Sequence, residues 1–135
     1  MDAFDKALAK WQPTALSLFR FITGLLLLQY GIAKILKIPV LPYFANPPPI
    51  TMVAGSLELV LGALLLLGLF TRPVAFVLSG LLAFAYFMGH ASKGFVLSPM
   101  LNGGESAVLF CFVFLFMAAA GGGAWGLDAL RSSRK

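Results

Sequence analysis

The sequence predicts an all-α fold, an integral membrane four-helix bundle, on three observations. Hydrophobic residues make up 60% of the 135, mean hydropathy is +0.94, and only 11% of residues are charged. That composition belongs to a membrane protein rather than a soluble domain. The apolar residues fall into four stretches separated by proline, glycine and polar residues. Each is near the roughly 20 residues that a spanning helix needs. Finally, the few charges sit in awkward places. Arg20, Lys34 and Glu58 interrupt apolar stretches, and His90 and Glu105 stand at the ends of two others. A charge near the bilayer centre costs roughly 2.5–3.5 kcal/mol even on lenient insertion scales, so each needs a partner or a use.

The helices are expected at about 13–36, 50–70, 73–90 and 104–121, forming a single transmembrane domain over residues 1–135. The first is the weakest, with only 13 uncharged residues between Arg20 and Lys34. Both long side chains could snorkel to opposite interfaces and so complete the span. The second is strongly apolar apart from Glu58, and the third and fourth carry no internal charge. Prolines 39, 42, 47, 48 and 49 forbid helix between the first two and predict an extended loop. Thr71-Arg72-Pro73 reads as a tight turn with Thr71 as N-cap. Gly121-Gly122-Gly123 is a natural terminator for the fourth helix.

With four passes, Lys6, Lys10, Arg72, Arg131, Arg134 and Lys135 share one side, and Lys34, Lys37 and Lys93 the other. This bias predicts both termini in the cytoplasm, with Trp11 and Trp125 at the cytoplasmic interface. The net charge of +5 does not suggest nucleic acid, because the basic residues are scattered over segment ends. The single cysteine excludes an internal disulfide, a CxxC pair and a zinc cluster within one chain. The single histidine excludes bis-His haem ligation by a monomer. The first residues lack a basic n-region, so no cleavable signal peptide is expected.

On the first helix, Arg20, Gly24, Gly31 and Lys34 fall on one stripe, which suggests close helix approach beside an electropositive strip. Glu58 shares its face with Gly55 and Gly62. Helical rise puts it about 12 Å from the outer end and Arg20 about 10 Å from the inner end, so a buried Arg20–Glu58 ion pair is expected near the midplane. Such a pair can equally be purely structural. His90 closes the third helix, with Ser79, Ala83, Tyr86 and Phe87 on roughly the same face. Asn102 and Glu105, three apart, fit a capping-box variant at the start of the fourth helix. Lys34, His90, Asn102 and Glu105 map together to the outer helix ends, making a candidate ligand-binding mouth; helix capping and dipole effects are the plainer account of each. Cys111 is expected to be a packing residue.

These residues also carry a resemblance. The order Arg20, Gly24, Gly31-x-x-Lys34, Glu58 and Gly62, then Leu67-Gly-Leu-Phe-Thr-Arg72, is similar to that of the DoxX family of small four-helix membrane proteins. His90 before Gly94-Phe95, Asn102-Gly-Gly-Glu105 and the Gly-rich stretch before Leu127-Asp128 continue it over nearly the whole chain. The family is related to the large subunit of thiosulfate:quinone oxidoreductase. The resemblance implies a bacterial plasma (inner) membrane location and an association with redox metabolism through quinones, sulfur compounds or oxidative-stress defence. No intrinsic cofactor is expected, because no flavin, haem, metal or thiol centre is legible. A bound quinone or similar lipophilic molecule would then meet Lys34, His90 or Glu105 as proton donors, with Phe44, Tyr86 and Phe87 as an apolar wall. Whether the chain is an enzyme stays open. The expected partners are the lipid bilayer, a redox subunit and a second copy of the chain. The alternatives are a non-catalytic scaffold or assembly factor and, from a third class, a small transporter.

Overall fold

In the computed structural model the described residues are 2–134, so Lys135, one of the expected inner-side cations, lies outside them. They form seven α-helices: α1 (Ala3–Ala9), α2 (Gln12–Ile35), α3 (Pro49–Leu67), α4 (Thr71–Gly89), α5 (Pro99–Asn102), α6 (Glu105–Ala120) and α7 (Leu127–Ser133). Short 3-10 turns stand at Pro42–Phe44 and Ala91–Lys93, and no strand occurs among the described residues. The proline-rich loop is therefore not wholly extended.

The four expected apolar helices lie close to their expected bounds, but they are not four equal spans. Gln12–Ile35, Pro49–Leu67 and Thr71–Lys93 are long and apolar enough to cross a membrane. The fourth, α6, has 16 residues. At helical rise it covers about 24 Å, short of a hydrocarbon core of about 30 Å. Left-handed glycines flank it: φ is 75° at Gly103, the C-cap of α5, and 87° at Gly121, just after α6. Both values lie in the left-handed region that favours glycine.

Beside an apolar core, several polar side chains are buried and many large apolar ones are exposed. Ser17, Arg20, Thr23, Glu58, Ser79 and Asn102 are buried, while Ile22, Val60, Phe76, Leu109 and Phe112 are exposed on the apolar helices. Exposed apolar surface on that scale is what lipid, and not water, accommodates.

The chain divides into two compact units, residues 1–71 with 121–135, and residues 72–120. In the first, α2 and α3 pack as an antiparallel hairpin at glycine contacts. A Cβ on Gly24 would lie 2.9 Å from the Leu66 backbone nitrogen, and one on Gly31 would lie 2.6 Å from that of Leu59. Only glycine lets the two backbones come so close. The contact sets the register that brings Lys34 level with Gly55, one turn from Glu58. α3 ends in a Schellman motif: Gly68 at φ 70° is followed by Leu69, whose N–H donates to the Leu64 carbonyl at 3.0 Å.

In the second unit, Leu78 of α4 and Phe114 and Met117 of α6 are fully buried. The Ser79 hydroxyl donates to the Cys111 carbonyl at 2.8 Å, with the Cys111 Sγ at 3.5 Å. Arg72 donates to the carbonyls of Ala118 and Ala119, satisfying groups that the end of α6 leaves unpaired.

Candidate functional site

The charges in the first unit are organised at two levels of the α2–α3 hairpin. At the outer level Lys34 Nζ donates to Glu58 Oε1 at 2.9 Å, with 14% and 5% of the two side chains exposed. The ammonium also lies over two aromatic rings, at 5.6 Å from that of Phe44 and 6.0 Å from that of Tyr30. Both distances suit a cation over a π face. Lys34 thus turns inward to the carboxylate instead of snorkelling outward. Glu58 Oε2 is buried and has no hydrogen-bond partner among the described residues.

At the inner level Arg20 meets no carboxylate at hydrogen-bond distance among the described residues. Its Nη1 donates to the carbonyls of Leu65 and Leu66, each at 2.8 Å, Nε to Gly122 at 3.1 Å and Nη2 to Trp125 at 3.0 Å. The expected Arg20–Glu58 pair is therefore replaced by a Lys34–Glu58 pair and an arginine cap. The reason lies in donor geometry and register. A guanidinium carries five N–H groups in a fork, and the end of α3 presents unpaired carbonyls beside it, whereas Lys34 stands one turn from Glu58.

Ser17, three residues before Arg20, joins the same cluster. It accepts from the Trp125 N–H at 2.9 Å and lies 3.2 Å from the carbonyls of Pro13 and Gly122. Asp128 closes it. Its two carboxylate oxygens accept from the N–H groups of Phe70 and Thr71, both at 2.8 Å, and its own N–H donates to the Gly68 carbonyl at 2.8 Å. Thr71 is consequently the first residue of α4 and not its N-cap; a carboxylate from α7 supplies the cap across 57 residues of sequence. Burial opposes ionisation of Asp128, but the Thr71 and Phe70 amides and the Arg131 charge outweigh it and hold the carboxyl below its ordinary range. None of these partners is expected from the sequence. A carboxylate opening a short helix after Gly126 is its only signal there.

The other expected mouth residues belong to the second unit. Asn102 is buried and fully engaged. Its Nδ2 donates to the Tyr86 hydroxyl at 2.9 Å and the Phe95 carbonyl at 3.2 Å, and its Oδ1 accepts from the Gly104 N–H at 2.9 Å. Tyr86 in turn donates to the Val96 carbonyl. Asn102 is thus a loop clamp at the end of α5, and the expected capping box with Glu105 does not form. Glu105 begins α6 with an exposed side chain. His90 is half-buried after α4 and makes no side-chain capping bond. Tyr86 and Ser79 are buried, whereas Phe87 is 63% exposed, with its ring edge-on to that of Tyr86 at 5.4 Å.

An all-α chain with apolar exteriors, a glycine-packed hairpin and an internal ion pair is a polytopic helical membrane protein. The chain belongs to the DoxX family, whose profile matches residues 15–91 and so spans Arg20, Lys34, Glu58 and His90. It is also 41% identical over 125 residues to an uncharacterized protein of Haemophilus influenzae, with 90% of this chain and 93% of that one covered. No solved structure matches the chain.

Proposed function

We propose that this DoxX-family protein is a redox-associated subunit of the bacterial inner membrane that binds a quinone-type lipophilic molecule at the Lys34–Glu58 pair. One observation carries the reading. A buried ammonium–carboxylate pair keeps an unpartnered oxygen and unused N–H groups beside two aromatic rings. A purely structural pair would be expected to satisfy every buried acceptor. A quinone carbonyl accepts from an ammonium, and its ring suits an aromatic surround. Lys34 and Glu58 suffice for such binding, and His90, Asn102 and Glu105 are not required. The protein would cross the membrane four times as one transmembrane domain with both termini cytoplasmic, a topology that rests on the Lys/Arg bias.

The scaffold reading is favoured by a different observation: Arg20, Asn102 and Asp128 all spend their polar groups on backbone or loop. Thermal melting of the purified protein with a panel of quinones separates the two. Ligand at about 100 times its Kd stabilises a one-site protein by about 2.7 kcal/mol. The quinone reading expects an upward shift for at least one ring that Lys34→Met removes. No shift with any quinone favours the scaffold.

A further inference from the structure

The two halves of the Lys34–Glu58 pair ask different things of a ligand. Lys34 Nζ donates one N–H to Glu58 Oε1 at 2.9 Å. An ammonium has three, so donors remain for an acceptor. Glu58 Oε2 is a carboxylate oxygen without a partner among the described residues, on a residue only 4% exposed. It calls for a hydrogen-bond donor. A quinone carbonyl offers lone pairs only, so it could satisfy Lys34 and would leave Oε2 bare. A ring hydroxyl does both: its oxygen accepts from Nζ while its O–H donates to Oε2 in a charge-assisted bond.

Resting on the quinone-type reading above, we propose that the site is built for the reduced, hydroxyl-bearing ring, a hydroquinone or phenol, in preference to the oxidised diketone. The hydroxyl bridges Lys34 Nζ and Glu58 Oε2, and the ring lies with Phe44 and Tyr30, which already flank the ammonium at 5.6 and 6.0 Å. Of the two side chains, that of Lys34 is the more exposed, at 14% against 5%. Sites that hydrogen-bond a hydroxyl discriminate strongly against analogues lacking it, because the buried partner is then left unpaired. A hydrogen bond to a charged group corresponds to a preference of at least about tenfold in Kd.

The test uses the full chain in detergent, with binding read by titration calorimetry. Four probes are compared: an alkylphenol, its methyl ether, a naphthohydroquinone kept reduced under argon, and the matching naphthoquinone. The phenol and ether share the ring and differ in the donor and one methyl group, and neither is oxidised or reduced under these conditions. The expected result is about tenfold or tighter binding of phenol over ether and of hydroquinone over quinone, with both preferences lost in Glu58→Gln. Because the phenol–ether comparison is made on the parent, it stands even if the variant fails to fold. Equal or tighter binding of quinone and ether would overturn the inference while leaving the quinone-type reading intact. Preferences that survive in Glu58→Gln would overturn the assignment to Glu58. Binding of none of the four would overturn the inference and the reading beneath it together.

Discussion

Replacing Lys34 by methionine keeps the length and apolar character of the stem and removes only the ammonium that faces Glu58 at 2.9 Å. The carboxylate is then alone, with 5% of its side chain exposed. It sits well inside α3, too deep for its short side chain to reach the interface. Breaking a buried pair from one side costs roughly 3–5 kcal/mol. Glu58→Leu should cost less. The Lys34 side chain is already 14% exposed and lies in the last turn of α2. Its four-carbon stem can therefore swing the charge to the interface. The double variant Lys34→Met/Glu58→Leu removes both charges and should melt within about 1 kcal/mol of the parent. For a domain of this size, a loss of about 3 kcal/mol corresponds to a fall in Tm of roughly 10 °C. Melts of the four proteins in one detergent, followed by circular dichroism, give the coupling between the two sites directly. Single losses that add up in the double variant, or a Lys34→Met protein that melts like the parent, would refute the argument.

Gly31→Ala places a Cβ 2.6 Å from backbone that cannot move aside. It should lower Tm clearly, by the equivalent of about 1–3 kcal/mol. The Cβ of Gly80→Ala would meet nothing within 4 Å. That variant should be neutral or stabilise by about 0.5–1 kcal/mol, and similar melts for the two would deny the glycine contact. Arg20 serves four carbonyls, and an ammonium has only three donors to replace it. Arg20→Lys should therefore be destabilised by about 1–3 kcal/mol; parental stability would mean that the cap is dispensable. Asp128→Asn weakens the cap on the Phe70 and Thr71 amides. It should lose about 0.5 to about 2 kcal/mol at neutral pH. The depressed carboxyl stabilises the fold above its unfolded value of about 3.9 and loses that contribution as pH falls through the lower folded value. The gap between parent and variant should close in melts taken below about pH 4, and a constant gap would contradict the assignment. Alkaline phosphatase fused after residue 135 should be inactive and a fusion in the 46–49 loop active; the reverse would overturn the orientation.

The helices are readable in the sequence because their signals are local. Apolar length, the prolines at 47–49 and the glycines at 121–123 fix ends through backbone chemistry that any window of sequence displays. The glycine stripe is also readable, since Gly24 and Gly31 repeat at helical spacing and only their packing partners are hidden. The ion pairing is not readable. Depth along the helix brings Arg20 and Glu58 within reach of each other, but the choice of partner depends on the register of α2 on α3, which Gly31 and Gly55 set to within one turn. Backbone carbonyls, which accept every hydrogen bond that Arg20 donates here, leave no mark in a sequence. Asp128 is illegible for a related reason: its partners are the amides of Phe70 and Thr71, far away in the chain and independent of side-chain identity. Asn102 stands out in the sequence as polar chemistry at a helix end, yet its donors serve the Tyr86 hydroxyl and the Phe95 carbonyl.

Photoaffinity labelling in native membranes with an azido-substituted quinone, reduced and oxidised in parallel, followed by peptide mapping, tests the central claim most directly. Label is expected on the segments around Tyr30, Lys34 and Phe44 and around Glu58, competed by unlabelled ligand and lost in Lys34→Met. Label confined to other segments, or label in this region that competitor does not displace, would contradict a ligand site at the Lys34–Glu58 pair.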